Sequence, residues 1–247
     1  MIVSDRKQDI KMHETMKSAN QVGFYSSLTV AVLTLVTFGF AIVAVPISGA
    51  NCLEGCIDYP YLDTVAQFPK DYRWMPLAGL LMLAYVIWTV AIHSTALPHK
   101  KIYGQIGLVF ASMAALTLVV DYFVQFSVVP ISLMSGETEG ITLLTQYNAH
   151  GIFIALEELG YLLMSFSFLF LVPVFLGKDR LASVAGWIFL AGFVLGLVSL
   201  VAFSAFYGLD RQDRFEVVII SVDWLVLLIN GGLLGAWFSR QLKTKQA

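Results

Sequence analysis

Four carboxylates lie well within long apolar stretches of the sequence, away from their ends, where lipid would surround a spanning helix. They are Asp121, Glu157, Glu158 and Asp223, and no Lys or Arg lies within these stretches. A charged side chain at the bilayer centre costs about 2.5–3.5 kcal/mol on insertion scales, so such residues usually bind ions, carry protons or pair with other polar groups. We therefore take these acids as candidate ion- or proton-binding groups.

Helical spacing places further polar residues beside the acids. His150 precedes Glu157 by seven residues, so the two share one helix face. Three more residues follow an acid at helical spacing and are candidate supporting groups: Tyr161 after Glu157, Gln125 after Asp121 and Asn230 after Asp223. If these faces converge, the helices enclose an acidic site that is open toward the outside.

The same side chains also have a structural interpretation. Polar groups tie membrane helices together by hydrogen bonds worth about 0.6–2 kcal/mol each, and a protonated carboxyl group in such a bond needs no ligand. Glu157 and Glu158 are adjacent, so they cannot both face the same partner. His93, near one end of its stretch, is more typical of an interfacial histidine than of a ligand.

Familiar catalytic motifs are missing. The zinc-protease pattern H-E-x-x-H does not occur. Only His93 and His150 lie in the apolar stretches, toward opposite ends, which argues against a pair of haem ligands. The sequence thus identifies no cofactor and leaves open whether a metal binds.

Composition indicates a membrane protein. Hydrophobic residues make up 58% of the 247 residues and charged residues 13%, against roughly 45–50% and 25% in soluble domains. Mean hydropathy is +0.77. The net charge of −2 argues against a nucleic-acid partner.

Six apolar stretches are long enough to cross a bilayer, which takes about 20 residues. Backbone groups in lipid must be satisfied internally, so each stretch is predicted to be a helix. The predicted fold is all-α, a polytopic bundle of six spans: Tyr25–Pro46, Met75–Leu97, Gly107–Pro130, Tyr147–Leu176, Val184–Tyr207 and Phe215–Ser239.

The distribution of basic residues predicts orientation. With the N-terminus inside, eleven Lys and Arg residues lie in inner segments and four in outer loops. This positive-inside bias predicts that both termini are cytoplasmic, in a cell membrane. Residues 1–23 then form a cytoplasmic segment before an uncleaved anchor, residues 24–239 the transmembrane domain, and residues 240–247 a cytoplasmic tail.

The largest predicted outer loop contains both cysteines of the chain, Cys52 and Cys56. On the oxidising side of a membrane they can close a disulfide around a short turn. A redox-active pair is the alternative, but the reactive spacing is usually C-x-x-C, and here three residues intervene.

Two repeated patterns concern the architecture. Residues 120–124 and 222–226 both read V-D-aromatic-x-V. A match this short arises easily by chance in apolar sequence. Two inverted halves of three helices, as in many transporters, are the alternative. The pairs Gly192/Gly196 and Gly231/Gly235 have the G-x-x-x-G spacing that permits close helix packing, within the chain or in a homo-oligomer.

Three functions fit these features. The first is a proton- or cation-coupled transporter of a small solute or ion that uses the membrane acids. The second is a non-catalytic sensor or accessory subunit, in which the acids only organise the bundle. The third is a lipid-modifying membrane enzyme, with the acids as metal ligands or as general acid and base. The spatial arrangement of the four carboxylates discriminates between these functions.

Overall fold

Long α-helices account for most of the chain. The computed structural model describes residues 2–43 and 47–244, and this part contains no β-strand, so the prediction of an all-α fold is confirmed. The helices are α1 (Ile2–Ile42), α2 (Trp74–Ser94), α3 (Lys101–Ser127), α4 (Val129–Met134), α5 (Ile141–Leu144), α6 (Ile152–Phe175), α7 (Arg180–Tyr207) and α8 (Gln212–Thr244).

Five helical segments among the described residues are long and apolar enough to cross a membrane. The fifth, Arg180–Thr244, contains both α7 and α8. A short 3-10 helix separates the two, and Asp210 within it has non-helical backbone angles. Asn230 of α8 donates to the carbonyl of Ala185 in α7 at 3.1 Å, and Gly196 of α7 lies against Ile219 of α8. The two helices therefore run antiparallel.

Several helix ends differ from the predicted spans. Helix α1 begins at Ile2, so residues 2–23 of the predicted cytoplasmic segment are helical and continuous with the first span. The predicted end of that span at Pro46 lies outside the described residues, as do residues 245–247 of the predicted tail. Helix α6 begins at Ile152 and not at Tyr147, because Gly151 before it has extended backbone angles.

The six long helices pack in chain order and close into one bundle. Each of α1, α2, α3, α6, α7 and α8 packs on the next, α1 also packs on α8, and α6 touches α8 across the interior. We call one end of the bundle the loop end; it carries residues 47–73, 135–151 and 208–211. The opposite end, the tail end, carries residues 95–100 and 176–179.

Both glycine pairs are used for helix packing within the chain. A Cβ atom on Gly192 would lie 2.6 Å from Val226, and one on Gly231 would lie 3.0 Å from the carbonyl oxygen of Ser27. Contacts this short leave no room for a side chain. These faces are therefore occupied by the chain's own helices, and an oligomer would need another surface.

The interior of the tail half is filled by aromatic rings. Phe189 of α7 packs against Phe168 and Phe175 of α6 at centroid distances of 5.3 and 5.9 Å, and against Trp88 of α2 at 6.0 Å. Phe175 also contacts Trp237 of α8 at 6.2 Å. Close-packed rings of this kind leave little space for water. We call these five residues the tail-end aromatic cluster.

Lys178, in the turn between α6 and α7, lies over the edge of this cluster. Its Nζ is 4.7 Å from the centre of the Trp237 ring and donates to the carbonyl of Thr95 at 3.2 Å. Burial, and to a lesser extent the nearby Lys100, lower the pKa of Lys178 to about 8, against a smaller opposing effect of Asp179. Hence this ammonium group loses its proton more easily in the folded chain than in the unfolded chain.

We expect stability to rise with pH because of Lys178. Between a folded pKa of about 8 and the ordinary value of 10.5, the unfolded chain binds more protons, and stability then increases with pH. The gain is about 1–2 kcal/mol after allowance for partial exposure. Melting temperatures measured in detergent from pH 7.5 to 10.5 should show the rise in the native chain and in Lys101→Met, but not in Lys178→Met. An equal rise in Lys178→Met would contradict this assignment.

Candidate functional site

A cavity of about 350 Å³ lies at the loop end of the bundle. Its walls come from α1, the segment after it, the start of α2, the loop before α6, and the first turns of α6 and α8. Four carboxylates line it, Asp71, Glu157, Asp213 and Glu216, and no basic residue of the described part of the chain does. Five aromatic rings also line it: Phe38, Trp74, Tyr147, Phe153 and Trp224. The cavity is therefore both acidic and aromatic.

Glu157 lies at the base of this cavity and is held by a chain of hydrogen bonds. The hydroxyl of Tyr122 donates to its Oε1 at 2.8 Å and lies 2.9 Å from the hydroxyl of Tyr161. The indole N–H of Trp224 donates to the same Tyr161 hydroxyl at 2.9 Å. Glu157 is 1% exposed. Its Oε2 receives no hydrogen bond from an N–H or hydroxyl donor among the described residues, and the carboxyl group of Glu216 lies within hydrogen-bond reach of the Glu157 carboxyl group.

The two V-D-aromatic-x-V patterns meet at Tyr161. Tyr122 follows Asp121 in the first pattern and Trp224 follows Asp223 in the second, and both side chains bond the same hydroxyl. Both aspartates are buried beside this junction. These hydrogen bonds join α3, α6 and α8. Of the three residues involved, sequence spacing had selected Tyr161, while Tyr122 and Trp224 each follow a selected aspartate.

Glu216 adds an acid that the sequence analysis had not selected. It lies one turn into α8, lines the cavity with Glu157 and interacts electrostatically with it. Asp121 lies close enough to repel Glu216, although it does not line the cavity. Asp121 Oδ2 is buried without a hydrogen-bond partner in the described part of the chain, and Gln125 is fully buried beside the hydroxyl of Tyr72.

Asp223 lies deeper in the bundle than the cavity. It is fully buried, and Ser165 of α6 donates to its Oδ1 at 3.0 Å, while Oδ2 has no partner among the described residues. Asn230 is also fully buried but faces α7, where it bonds a backbone carbonyl. Asp223 and Asn230 therefore serve different contacts, although they share a face of α8.

Glu158 is not an unpaired acid. Arg211, in the turn between α7 and α8, donates to both of its carboxylate oxygens at 2.9 and 2.8 Å. This ion pair explains how α6 tolerates two adjacent glutamates, with Glu157 facing the cavity and Glu158 facing Arg211. No Lys or Arg lies within the predicted spans, and the cation that pairs with Glu158 comes from the turn between two of them.

His150 does not extend the face of Glu157. It precedes the start of α6, in a turn where Asn148 accepts from its backbone N–H at 3.0 Å. Its side chain is 69% exposed and lies 3.9 Å from Asp210. The spacing of seven residues does not place His150 and Glu157 on one helix face, because the turn and Gly151 intervene.

The segment after α1 forms one wall of the cavity and is attached to α8. Asp213 accepts a hydrogen bond from the backbone N–H of Ala50 at 2.6 Å. Gly49, with a φ of +70°, allows this approach, because a Cβ atom there would lie 2.6 Å from the Asp213 carboxylate. Cys52 and Cys56, joined by a disulfide, close the next turn, and the N–H of Ile57 bonds the carbonyl of Ile47 at 2.7 Å.

On the opposite wall, Tyr147 donates to Asp71 at 3.3 Å. Burial raises the pKa of the Tyr147 phenol, and Tyr72 and Asp71 raise it further, so this hydroxyl stays protonated and remains a donor at any physiological pH. Across the described residues, no three His, Cys, Asp or Glu side chains converge in a way that could hold a metal ion.

Sequence reasoning missed Asp71, Asp213 and Glu216. All three lie at or beyond the ends of apolar stretches, where an acid carries no penalty by itself. No family model, no curated protein and no solved structure matches this chain, so the site is interpreted from its own chemistry.

Proposed function

We propose that this chain is a membrane transporter that exchanges a small cation for protons at the loop-end cavity. The single observation that carries the proposal is the position of Glu157. Among the described residues, no basic side chain lines the cavity in which it lies, and its Oε2 is met by the carboxyl group of Glu216 and by no N–H or hydroxyl donor. A buried carboxylate without a cation is costly, so it holds either a proton or a cationic ligand.

Six spans with both termini in the cytoplasm are part of this proposal. The antiparallel packing of α7 and α8 supports counting the segment Arg180–Thr244 as two spans. The excess of Lys and Arg at the tail end supports a cytoplasmic tail end. The loop end, with its disulfide and its cavity, then faces outside.

The interior of the bundle contains a cavity at the loop end and is filled at the tail end, which supports a transporter that is open on one side. The cavity at the loop end reaches Glu157, whereas the tail-end aromatic cluster fills the same interior farther along α6. Transporters hold their sites near the midplane and open alternately to either side. Movement of α6 and α8 against the other helices would open the tail half.

Polar groups beyond Glu157 supply a route for protons. Tyr161 and Ser165 follow Glu157 at intervals of four residues on one face of α6, and Ser165 bonds Asp223. Farther along, Tyr85 donates to Ser167 at 2.8 Å, and Ser167 donates to the carbonyl of Gly107. We propose that protons move between Glu157 and Asp223 along this face when a cation enters.

The test is proton movement in proteoliposomes that contain a pH-sensitive dye. Gradients of sodium, potassium and choline chloride are imposed in turn, and the luminal pH is recorded. A cation that enters in exchange for a proton raises the luminal pH. We expect at least one gradient to do so, and Glu157→Gln and Asp223→Asn to slow the initial rate at least tenfold, about 1.4 kcal/mol in the barrier.

Glu137→Gln is the matched control, because Glu137 is an exposed loop residue away from the cavity. Its rate should equal that of the native chain. Rates that stay unchanged in both Glu157→Gln and Asp223→Asn would remove these acids from the mechanism. Ligand binding without any flux would favour the sensor instead.

A further inference from the structure

We propose that the ligand of the loop-end cavity is a small organic ammonium ion whose nitrogen carries apolar groups. This inference rests on the cation-binding part of the proposed function and names its substrate class. A volume of about 350 Å³ is at the lower end of the range for small-molecule sites, so the ligand is small.

Charge selects a cation. Asp71, Asp213, Glu157 and Glu216 all line the cavity, and no basic side chain of the described residues does. The two arginines at the start of the α8 region have other contacts. Arg211 is bound to Glu158, and the guanidinium of Arg214 lies 4.7 Å from the ring centre of Tyr207. An acidic cleft with low-dielectric walls concentrates cations and excludes anions.

One pair of carboxyl groups points specifically to a missing cation. Glu157 is 99% buried, given its exposure of 1%. Its Oε1 is fixed by Tyr122, while Oε2 receives no N–H or hydroxyl donor from the described part of the chain and the carboxyl group of Glu216 faces it. Buried carboxylate oxygens normally accept hydrogen bonds or meet a positive charge. A ligand ammonium group in the cavity supplies that charge.

The aromatic walls select an organic cation over a hydrated metal ion. Trp224 contacts Phe38 at a centroid distance of 5.6 Å and an angle of 89°, and contacts Trp74 at 6.4 Å and 66°. The three rings therefore form a corner of steeply inclined surfaces. Ring faces attract ammonium ions, and aromatic cages are a recurrent means of binding methylated ammonium groups. Calcium and magnesium ions require several converging oxygen ligands instead, and no three acidic side chains of the described residues converge in that way.

The test measures binding, not flux. Isothermal titration calorimetry on the purified chain in detergent, at constant ionic strength, compares choline chloride with its neutral isostere 3,3-dimethyl-1-butanol and with sodium and potassium chloride. We expect choline to bind at least tenfold more tightly than the isostere and than either metal ion. Equal affinity for the isostere, or heat from sodium or potassium but none from choline, would overturn the inference.

Variants locate the binding to this cavity. Trp74→Leu and Glu216→Gln should each weaken choline binding at least tenfold. Trp187→Leu is the matched control, since Trp187 is 59% exposed on α7 and does not line the cavity. If Trp74→Leu unfolds, Phe38→Leu replaces it. Unchanged affinity in the folded variants would overturn the assignment.

Failure here is distinguishable from failure of the proposed function. Proton exchange driven by sodium or potassium, together with no choline binding, would remove the ammonium ligand and leave the transporter. Choline binding at this cavity without exchange of any cation would keep the ligand class and remove transport.

Discussion

Gly231→Leu is expected to lower the free energy of unfolding by about 1–3 kcal/mol or more. A Cβ atom at Gly231 would lie 3.0 Å from both the Ala31 side chain and the Ser27 carbonyl oxygen, and 3.2 Å from the Ala31 nitrogen. Two of these three atoms belong to the backbone of α1, so no side-chain rotation relieves the clash. Helix α8 must instead move away from α1 and lose packing along its length.

The adjacent residue provides the control for this prediction. Gly232 is exposed, and a Cβ atom there meets nothing within 4 Å. Gly232→Leu should therefore leave stability unchanged or raise it by up to about 1 kcal/mol, because leucine favours helices more than glycine does. Unfolding by titration with a denaturing detergent measures both variants. Equal losses at the two positions would show that α1 and α8 are not in close contact at Gly231.

Arg211→Met should cost about 2–3 kcal/mol, somewhat less than the 3–5 kcal/mol typical when one partner of a fully buried ion pair is removed. Glu158 is 5% exposed, whereas the Arg211 side chain is 25% exposed. Removal of the guanidinium leaves the Glu158 carboxylate buried without a cation, and the turn between α7 and α8 loses its attachment to α6.

A double-mutant cycle separates the ion pair from other effects of the substitution. Adding Glu158→Gln to Arg211→Met removes the stranded charge and should restore at least half of the lost stability. Arg214→Met, in the same region, removes a guanidinium that contacts a tyrosine ring and should cost less than about 1 kcal/mol. A double variant no more stable than Arg211→Met would contradict a charge-based explanation.

Much of the helical framework was predictable from the sequence. Runs of apolar residues must become helices in lipid, and the structure has long helices at each predicted stretch. The burial of Asp121, Glu157 and Asp223 also followed from their positions, and Tyr161 lies beside Glu157 because four residues make about one helical turn. Local periodicity suffices for contacts within one helix.

The site itself depends on contacts that periodicity does not encode. Arg211 meets Glu158 across 53 residues of chain, through a turn whose geometry follows from the packing of α7 on α8. Glu216 and Asp213 lie at the start of α8, where acidic residues are common. Only the packing of the neighbouring helices places them in the cavity. His150 shows the reverse, since an apparently helical spacing ended at a turn before Gly151.

The disulfide beside the segment that lines the cavity implies that the site is completed in a definite order. Ile47, Ser48, Gly49 and Asn51 line the cavity, and the disulfide Cys52–Cys56 closes the turn that follows them. Such bonds form in oxidising compartments. In the orientation we propose, a newly inserted chain would already hold every carboxylate of the site but would lack this covalent closure. The wall of the ligand site would therefore be completed only after the loop has been translocated. Before translocation, this wall would lack its disulfide.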